Sequence, residues 1–357
     1  MIRARAHLKN MYREGQPFFS RFELDRLGYN EYVPYAEKEL YEKLFATVNR
    51  EVISAYPSVN DAYSAISALT GQSRDRLMLT TGVDGAIMNV FMTFCDPQDE
   101  VVLVTPNYGM YYVYSDLMNA RVTEVKYDEN FELDYAELLN SINEKTKIIA
   151  LANPSGFSGQ VIPENVMLEL IEKANGLGCV VLLDEVYADF YDGGISRYYK
   201  YIDRYDNLVI ARSFSKSYGL AGLRAGYLVA QESTTAEIKR VRQNVEINSV
   251  AVEAIKIWCA EKEALKKSID AINQSRRKVA EELTRMGYEV RESVTNFCFV
   301  KVGRENMGQF IEEMKAEKIE LKFMGPDSLY PDYLRVTIGV YDYMKHFLDV
   351  MRRLKKD

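Results

Sequence analysis

The sequence predicts an α/β protein: a large domain built on a mostly parallel sheet, joined to a smaller α+β domain. Three observations carry that expectation. Between residues 77 and 230, short β-branched and apolar runs alternate with longer stretches whose apolar residues recur every three or four positions. After residue 230 the alternation stops, and long helical patterns take over, interrupted by isolated strand-like runs. The length, 357 residues, exceeds one ordinary core and suits one large domain plus a smaller one.

The strand-like runs are Leu77 to Thr81, Val101 to Thr105, Val122 to Lys126, Lys147 to Ala152, Val180 to Leu183, Leu208 to Arg212 and Gly226 to Val229. The segments Val83 to Cys95 and Pro163 to Asn175 read as crossover helices between them. Beyond Ala230 come a long helical stretch from Ser233 to Lys267 and another from Ile269 to Met286. Strand-like Thr295 to Val302, a helix near Met307 to Glu317, strand-like Tyr333 to Ile338 and a final helix complete the chain. The first 45 or so residues are too few to form a lobe, so the smaller domain is expected to combine residues 1–45 with 245–357, around a large domain of 46–244.

Composition narrows the function. Apolar residues make up 47% and charged residues 27%, with nine prolines, so the chain is expected to fold throughout. A net charge of −7 argues against a nucleic-acid partner, which needs a concentrated positive face. The basic clusters at the ends (Arg3, Arg5, Lys9 and Arg13; Arg352, Arg353, Lys355 and Lys356) are short, interrupted by apolar residues at helical spacing, and read as solvated helix faces. Cys95, Cys179, Cys259 and Cys298 are scattered and the only histidines are His7 and His346, so neither a disulfide framework nor a metal site is expected. No signal-peptide core follows Met1, and no apolar run approaches the roughly 18 residues that span a bilayer. A cytoplasmic protein with no membrane partner is the expectation.

Ligands of open α/β sheets sit beyond the carboxyl ends of the strands. After the first run comes Thr81-Gly82-Val83-Asp84-Gly85, a glycine-flanked turn opening a helix, whose free N–H groups suit an anion. After the second comes Thr105-Pro106-Asn107-Tyr108-Gly109, where Tyr108 could lie flat on a planar heterocycle or be an ordinary surface tyrosine. Asp184 closes the fifth run, and a carboxylate there needs a strong donor: a pyridinium N–H or an arginine. The sixth leads into Ser213-Phe214-Ser215-Lys216, with Arg224 eight residues further on. A lysine amine condenses with an aldehyde, and two hydroxyls with a guanidinium hold a phosphate. Taken jointly, these types fit one ligand, an aldehyde cofactor carrying a phosphate.

At this point the chain resembles the class I/II aminotransferases of the pyridoxal-phosphate fold type I superfamily, and is most similar to the histidinol-phosphate aminotransferase branch. The landmarks run from Asn30-Glu31-Tyr32 to the segment Arg335 to Gly339. The resemblance implies that Lys216 holds pyridoxal 5'-phosphate as a Schiff base and serves as acid and base, that Asp184 keeps the pyridine nitrogen protonated, and that Tyr187 hydrogen-bonds the ring's phenolic oxygen. It implies further that Tyr108 stacks on the ring, and that the phosphate is held by the backbone of Val83 and Asp84, by Ser213, Ser215 and Arg224. By the same resemblance Tyr56 reaches the phosphate of a neighbouring subunit, making a homodimer, and Arg335 binds the substrate's anionic group. The implied reaction moves an amino group between a small amino acid or amino phosphate and a keto or aldehyde acceptor.

Two departures stand out. The family's N-P-N-N-P-T-G reads here Asn153-Pro-Ser155-Gly156-Phe157-Ser158-Gly159, so the asparagine that donates to the phenolic oxygen becomes Gly156. Thirteen residues before Arg335, where the branch usually has an arginine, stands Lys322, which keeps the charge but not the bidentate fork. Decarboxylation, elimination or oxidation on the same cofactor is the alternative that the Gly156 change leaves open. A non-catalytic or nucleotide-binding protein of similar fold is more remote: Gly82-Val-Asp-Gly85 does not supply G-x-G-x-x-G, and a separate DNA-binding domain is not expected ahead of Asn30.

Overall fold

The computed structural model describes residues 2, 5–8, 11, 21–32, 38–325 and 328–355. Arg3, Lys9, Arg13 and Lys356 of the two terminal basic clusters lie outside them. Seven strands form the main sheet: β1 (Leu77–Thr80), β2 (Glu100–Thr105), β3 (Arg121–Lys126), β4 (Thr146–Ala152), β5 (Val180–Asp184), β6 (Leu208–Ser213) and β7 (Gly226–Val229). Their order in space is β1-β7-β6-β5-β4-β2-β3, and only β7 runs antiparallel to its neighbours. All seven expected runs are therefore strands of one mixed, mostly parallel sheet.

The strands read as unbroken apolar runs because both faces of the sheet are covered. Side chains alternate between the faces: Met78, Val101, Val180, Leu182, Val209 and Leu228 enter one core, which includes Ile87, Val90 and Phe91 of the helix Gly82–Phe94. Leu77, Leu79, Val102, Val181, Leu183, Leu208 and Ile210 enter the other, with Met167, Leu170 and Ile171 of the helix Glu164–Gly176.

The carboxyl-terminal region differs from its expectation at two breaks. The stretch expected to be helical from Ser233 to Lys267 is divided into Glu232–Ile238 and Ser249–Ala260, followed by Lys262–Arg285. Asn248 explains the first break: its side chain accepts from the Ala251 N–H at 2.8 Å and so starts a new helix. The second break falls at Glu261, not at Lys267 to Ile269, which lie inside the continuous helix Lys262–Arg285. A four-stranded antiparallel sheet then forms in the order Lys322–Phe323, Tyr333–Thr337, Phe297–Lys301, Glu289–Arg291. Asp25–Arg26 pairs in parallel with Ile319–Glu320. A separate core joins Leu27 with Val279, Leu283, Val300, Val336, Phe347 and Met351. The final helix, Tyr341–Leu354, turns Phe347, Leu348 and Met351 inward and leaves Arg352 and Arg353 in solvent. No described helix is long and apolar enough to cross a membrane.

Candidate active site

The carboxyl ends of β5 and β6 bring Asp184 and Ser213 to one edge of the sheet. Beyond Ser213 the chain folds back on itself: Phe214 donates its N–H to Ala225 at 3.1 Å, and Leu220 donates to Phe214 at 2.9 Å. The Ser213 hydroxyl accepts from the Ser215 N–H at 3.1 Å, and both serines are buried. Lys216 leaves this tight loop with its Nζ donating to the Tyr29 carbonyl at 2.8 Å and lying 5.7 Å from the Tyr187 ring centre. The loop is tied from below. Ser217 hydrogen-bonds Asp189, and the buried Arg212 bridges Asp189 at 2.5 Å and Glu185 at 3.1 Å.

Asp184 is buried and no described cation lies within salt-bridge distance of it. Among the described residues no arginine takes that place: Arg212 serves the next residue, Glu185, instead. Asp184 accepts from the Tyr111 hydroxyl at 2.9 Å and from the Val186 N–H at 3.0 Å. Burial pushes its carboxyl up to about 6, opposed by these two donors.

Gly82 opens its helix with φ +71°, a left-handed conformation that L side chains rarely adopt, and a Cβ there would meet Arg224 Nη2 at 3.3 Å. Arg224 reaches over the turn to Asp84 at 3.0 Å, and the Tyr108 hydroxyl donates to the same carboxylate at 2.7 Å. Val83, Asp84, Tyr108 and Arg224 therefore meet at one helix start, with the Asp84 side chain as the link between Tyr108 and Arg224.

Tyr187 is buried and accepts from Asn30 Nδ2 at 2.9 Å, which leaves its own hydroxyl proton to be donated elsewhere. A Cβ on Gly156 would stand 3.1 Å from Cε2 of Tyr187, so the glycine is where the ring passes closest. Neither neighbour replaces the lost asparagine amide. Asn153 donates to Tyr198 at 3.3 Å and accepts from the Ile162 N–H at 2.8 Å, while the Ser155 hydroxyl accepts from the N–H groups of Phe157 and Ser158. Arg335 lies across the same loop, donating to the carbonyls of Gly156 at 3.3 Å and Gly28 at 3.1 Å, and it has no described carboxylate partner. Its buried Nε has no described hydrogen-bond partner, and burial lowers the guanidinium's pKa from its ordinary value. Lys322 is directly opposite Arg335 in the antiparallel ladder. Tyr56 is 91% exposed, beside Ala55, whose carbonyl accepts from the Ser249 hydroxyl at 3.1 Å.

Sequence reasoning missed Tyr111 and Asn30 as members of this constellation. Tyr111 lies three residues after Tyr108, one helical turn, and that spacing was the available signal. Asn30 stands in the sequence reading only as a landmark of the resemblance.

Comparison with known proteins gives the geometry its place. The family model described as aminotransferase class I and II matches residues 27–350. A histidinol-phosphate aminotransferase of Clostridium novyi is 29% identical over 318 residues, covering 88% of this chain and 87% of the relative. One of Archaeoglobus fulgidus is 27% identical, covering 90% and 96%. The crystal structure of the histidinol-phosphate aminotransferase from Sinorhizobium meliloti with pyridoxal-5'-phosphate superposes with a TM-score of 0.83 at 21% identity, covering 93% of this chain and 90% of that one. An aspartate aminotransferase of Thermotoga maritima superposes at 0.79, with 21% identity and 94% and 92% coverage. A buried carboxylate without a cation, an amine at the strand ends and a glycine turn beneath a guanidinium fit the cofactor of this family. The chain belongs to the class I and II aminotransferases, and is a pyridoxal-phosphate-dependent enzyme of fold type I.

Proposed function

We propose that this aminotransferase takes an amine carrying an anionic group, an amino acid or amino phosphate, and hands its amino group to a keto or aldehyde acceptor. Arg335 carries the reading: a cation held in place by two carbonyls, with a buried Nε lacking a partner and no described carboxylate beside it. A guanidinium so placed is already desolvated and oriented for an anion. Lys322, in register with it on the neighbouring strand, adds a second positive charge. The likeness to histidinol-phosphate aminotransferases makes histidinol phosphate one candidate partner in the exchange.

When bound, pyridoxal phosphate supplies an electron sink for the carbanion left by deprotonation next to the amine. Lys216 would hold the cofactor, and its amine is the group placed to move the proton at the substrate carbon. Asp184 would keep a proton on the ring nitrogen, Tyr187 would donate to the ring's phenolic oxygen, and Tyr108 would cover the ring face. The N–H groups of Val83 and Asp84 would hold the phosphate together with Ser213, Ser215 and Arg224. With Gly156 in place of the asparagine, Asn30 orients the remaining donor through its bond to Tyr187.

The reading extends to a cytoplasmic homodimer in which Tyr56 enters the partner's site. Its support is the exposure of Tyr56 together with Phe45 and Ile53 on neighbouring helices. It also keeps two domains, 46–244 and 1–45 with 245–357. The second core draws on Leu27 and on residues from Val279 to Met351, while the helices Lys38–Thr47 and Ser249–Ala260 pack on the large core and form the seam.

The test is rapid-mixing absorbance of the loaded enzyme against a panel of anionic and neutral amines, with the loss of the cofactor's carbonyl-state band as readout. Anionic donors react, and Arg335→Lys raises their half-saturation on the order of 10²-fold while neutral amines are little affected. Equal reactivity of neutral amines, or no effect of the substitution, overturns the substrate class.

A further inference from the structure

The helix Gly109–Met118 buries one phenol completely, that of Tyr111, and points it at Asp184. In a protein interior a tyrosine can turn its polar end toward many partners; this one donates to the carboxylate on which the cofactor reading depends. We propose that Tyr111 is a positioning residue for the reaction: by donating to Asp184 it makes that carboxylate a weaker base, so that a proton shared with the ring nitrogen stays on the nitrogen. The inference rests on Asp184 facing that nitrogen.

The surroundings of Asp184 leave few groups able to do this. The flanking strands present Ala152 and Ala211 beside it, neither of which titrates. From the helix Gly82–Phe94 comes Asp84, whose negative charge raises the basicity of Asp184; from the loop after β6 comes Lys216, whose charge lowers it. Tyr108 faces the same region, and its hydroxyl is held by Asp84. The remaining donors are the Val186 N–H and Tyr111. A backbone N–H cannot be varied by side-chain evolution; the phenol can. Each carboxylate oxygen takes one of these bonds and retains a lone pair for the ring's N–H. Lys216 would anchor the cofactor, whereas the Tyr111 phenol has no such second task and keeps its hydrogen bond to Asp184.

Tyr111→Phe removes a single oxygen and keeps the buried ring, so the test does not depend on a disrupted core. The first readout uses the full chain without cofactor, labelled with ¹³C at aspartate carboxyls, with Asp184→Asn identifying the signal. In Tyr111→Phe the midpoint of Asp184 rises by about one to two units above that of the unsubstituted protein. The second readout is the ¹⁵N shift of labelled pyridoxal phosphate bound to each protein, which moves toward the unprotonated value in Tyr111→Phe. The acid limb of kcat/KM moves up in pH by a similar amount, a change that loosened packing alone would not produce. An unchanged Asp184 midpoint overturns the proposal. A raised midpoint with a ring-nitrogen shift insensitive to both Tyr111→Phe and Asp184→Asn supports the coupling and overturns the placement of Asp184 beneath the nitrogen.

Discussion

Asp184 and Glu185 are sequence neighbours, both buried, and the sheet edge separates their fates. Asp184 meets only hydroxyl and amide donors, whereas Glu185 receives Arg212 at 3.1 Å and the Ser196 hydroxyl at 2.8 Å. Burial raises both carboxyls, Asp184 to about 6 and Glu185 to about 7. For Asp184 the folded value lies above the ordinary 3.8, so the folded chain holds the proton more tightly than the unfolded chain. The stabilisation from this group is therefore complete below the ordinary value and is lost as pH rises through about 6. Its size is about 3 kcal/mol. Urea unfolding of the cofactor-free protein between pH 4 and pH 8 should show this decline, and Asp184→Asn should lack its share of it. The same slope in both proteins would place the titration elsewhere. Such a carboxylate is costly in the empty fold and useful only to a cationic ligand, which is why its chemistry could be read from the sequence while its protein partner, Tyr111, could not.

At the scale of elements, the strand β6 and the loop that follows it hold Lys216 by contacts on the side away from the site. Arg212 lies between Glu185 and Asp189, and Asp189 in turn holds Ser217, the residue after the lysine. Removing Arg212 leaves two carboxylates buried without a described counter-charge, so Arg212→Met should destabilise the fold by about 3–5 kcal/mol. Chemical denaturation measures it, and the loss should be greater above pH 7, where Glu185 gives up its proton. A loss under 1 kcal/mol would show that the network contributes little. Backbone approach matters beside it: a Cβ on Gly226 would lie 2.7 Å from the Arg212 carbonyl oxygen and 2.9 Å from Gly82, so the strand β7 and the glycine turn can touch only without a side chain there. The strands themselves were legible because covered faces demand continuous apolar runs. The helix break at Asn248 was not, because a lone asparagine within a helical pattern becomes a cap only where its side chain turns to the Ala251 N–H.

At the scale of the whole molecule, the dimer reading makes a sharp prediction. Lys216→Ala and Tyr56→Ala chains would each be defective alone, Tyr56→Ala through weaker cofactor retention. A mixed dimer would carry both defects in one site and none in the other. Refolding the two variants together should therefore restore roughly a quarter of the sites, since half of the dimers are mixed and each has one intact site. Activity and retained cofactor in the mixture report this. No recovery in a mixture that forms mixed dimers would mean that each chain completes its own site.

The sequence by itself determined the fold class and the cofactor and nominated the residues to hold it, because an aldehyde cofactor with a phosphate needs particular side chains at the ends of particular strands. Asp184 and Ser213 close apolar runs whose parallel strand ends lie side by side, Ser215 and Lys216 follow within three residues, and Arg224 stands just ahead of the antiparallel strand β7. Tertiary structure alone decided what surrounds them. It put Tyr111 and no described arginine against Asp184, gave Arg212 to Glu185 and Asp189, set Asn30 on Tyr187 and passed the Tyr187 ring over Gly156. Those pairings join residues up to 157 positions apart in the chain; helical spacing puts Tyr111 on the same side as Tyr108, but hydrogen bonds are directional, so spacing does not encode which partner each side chain takes.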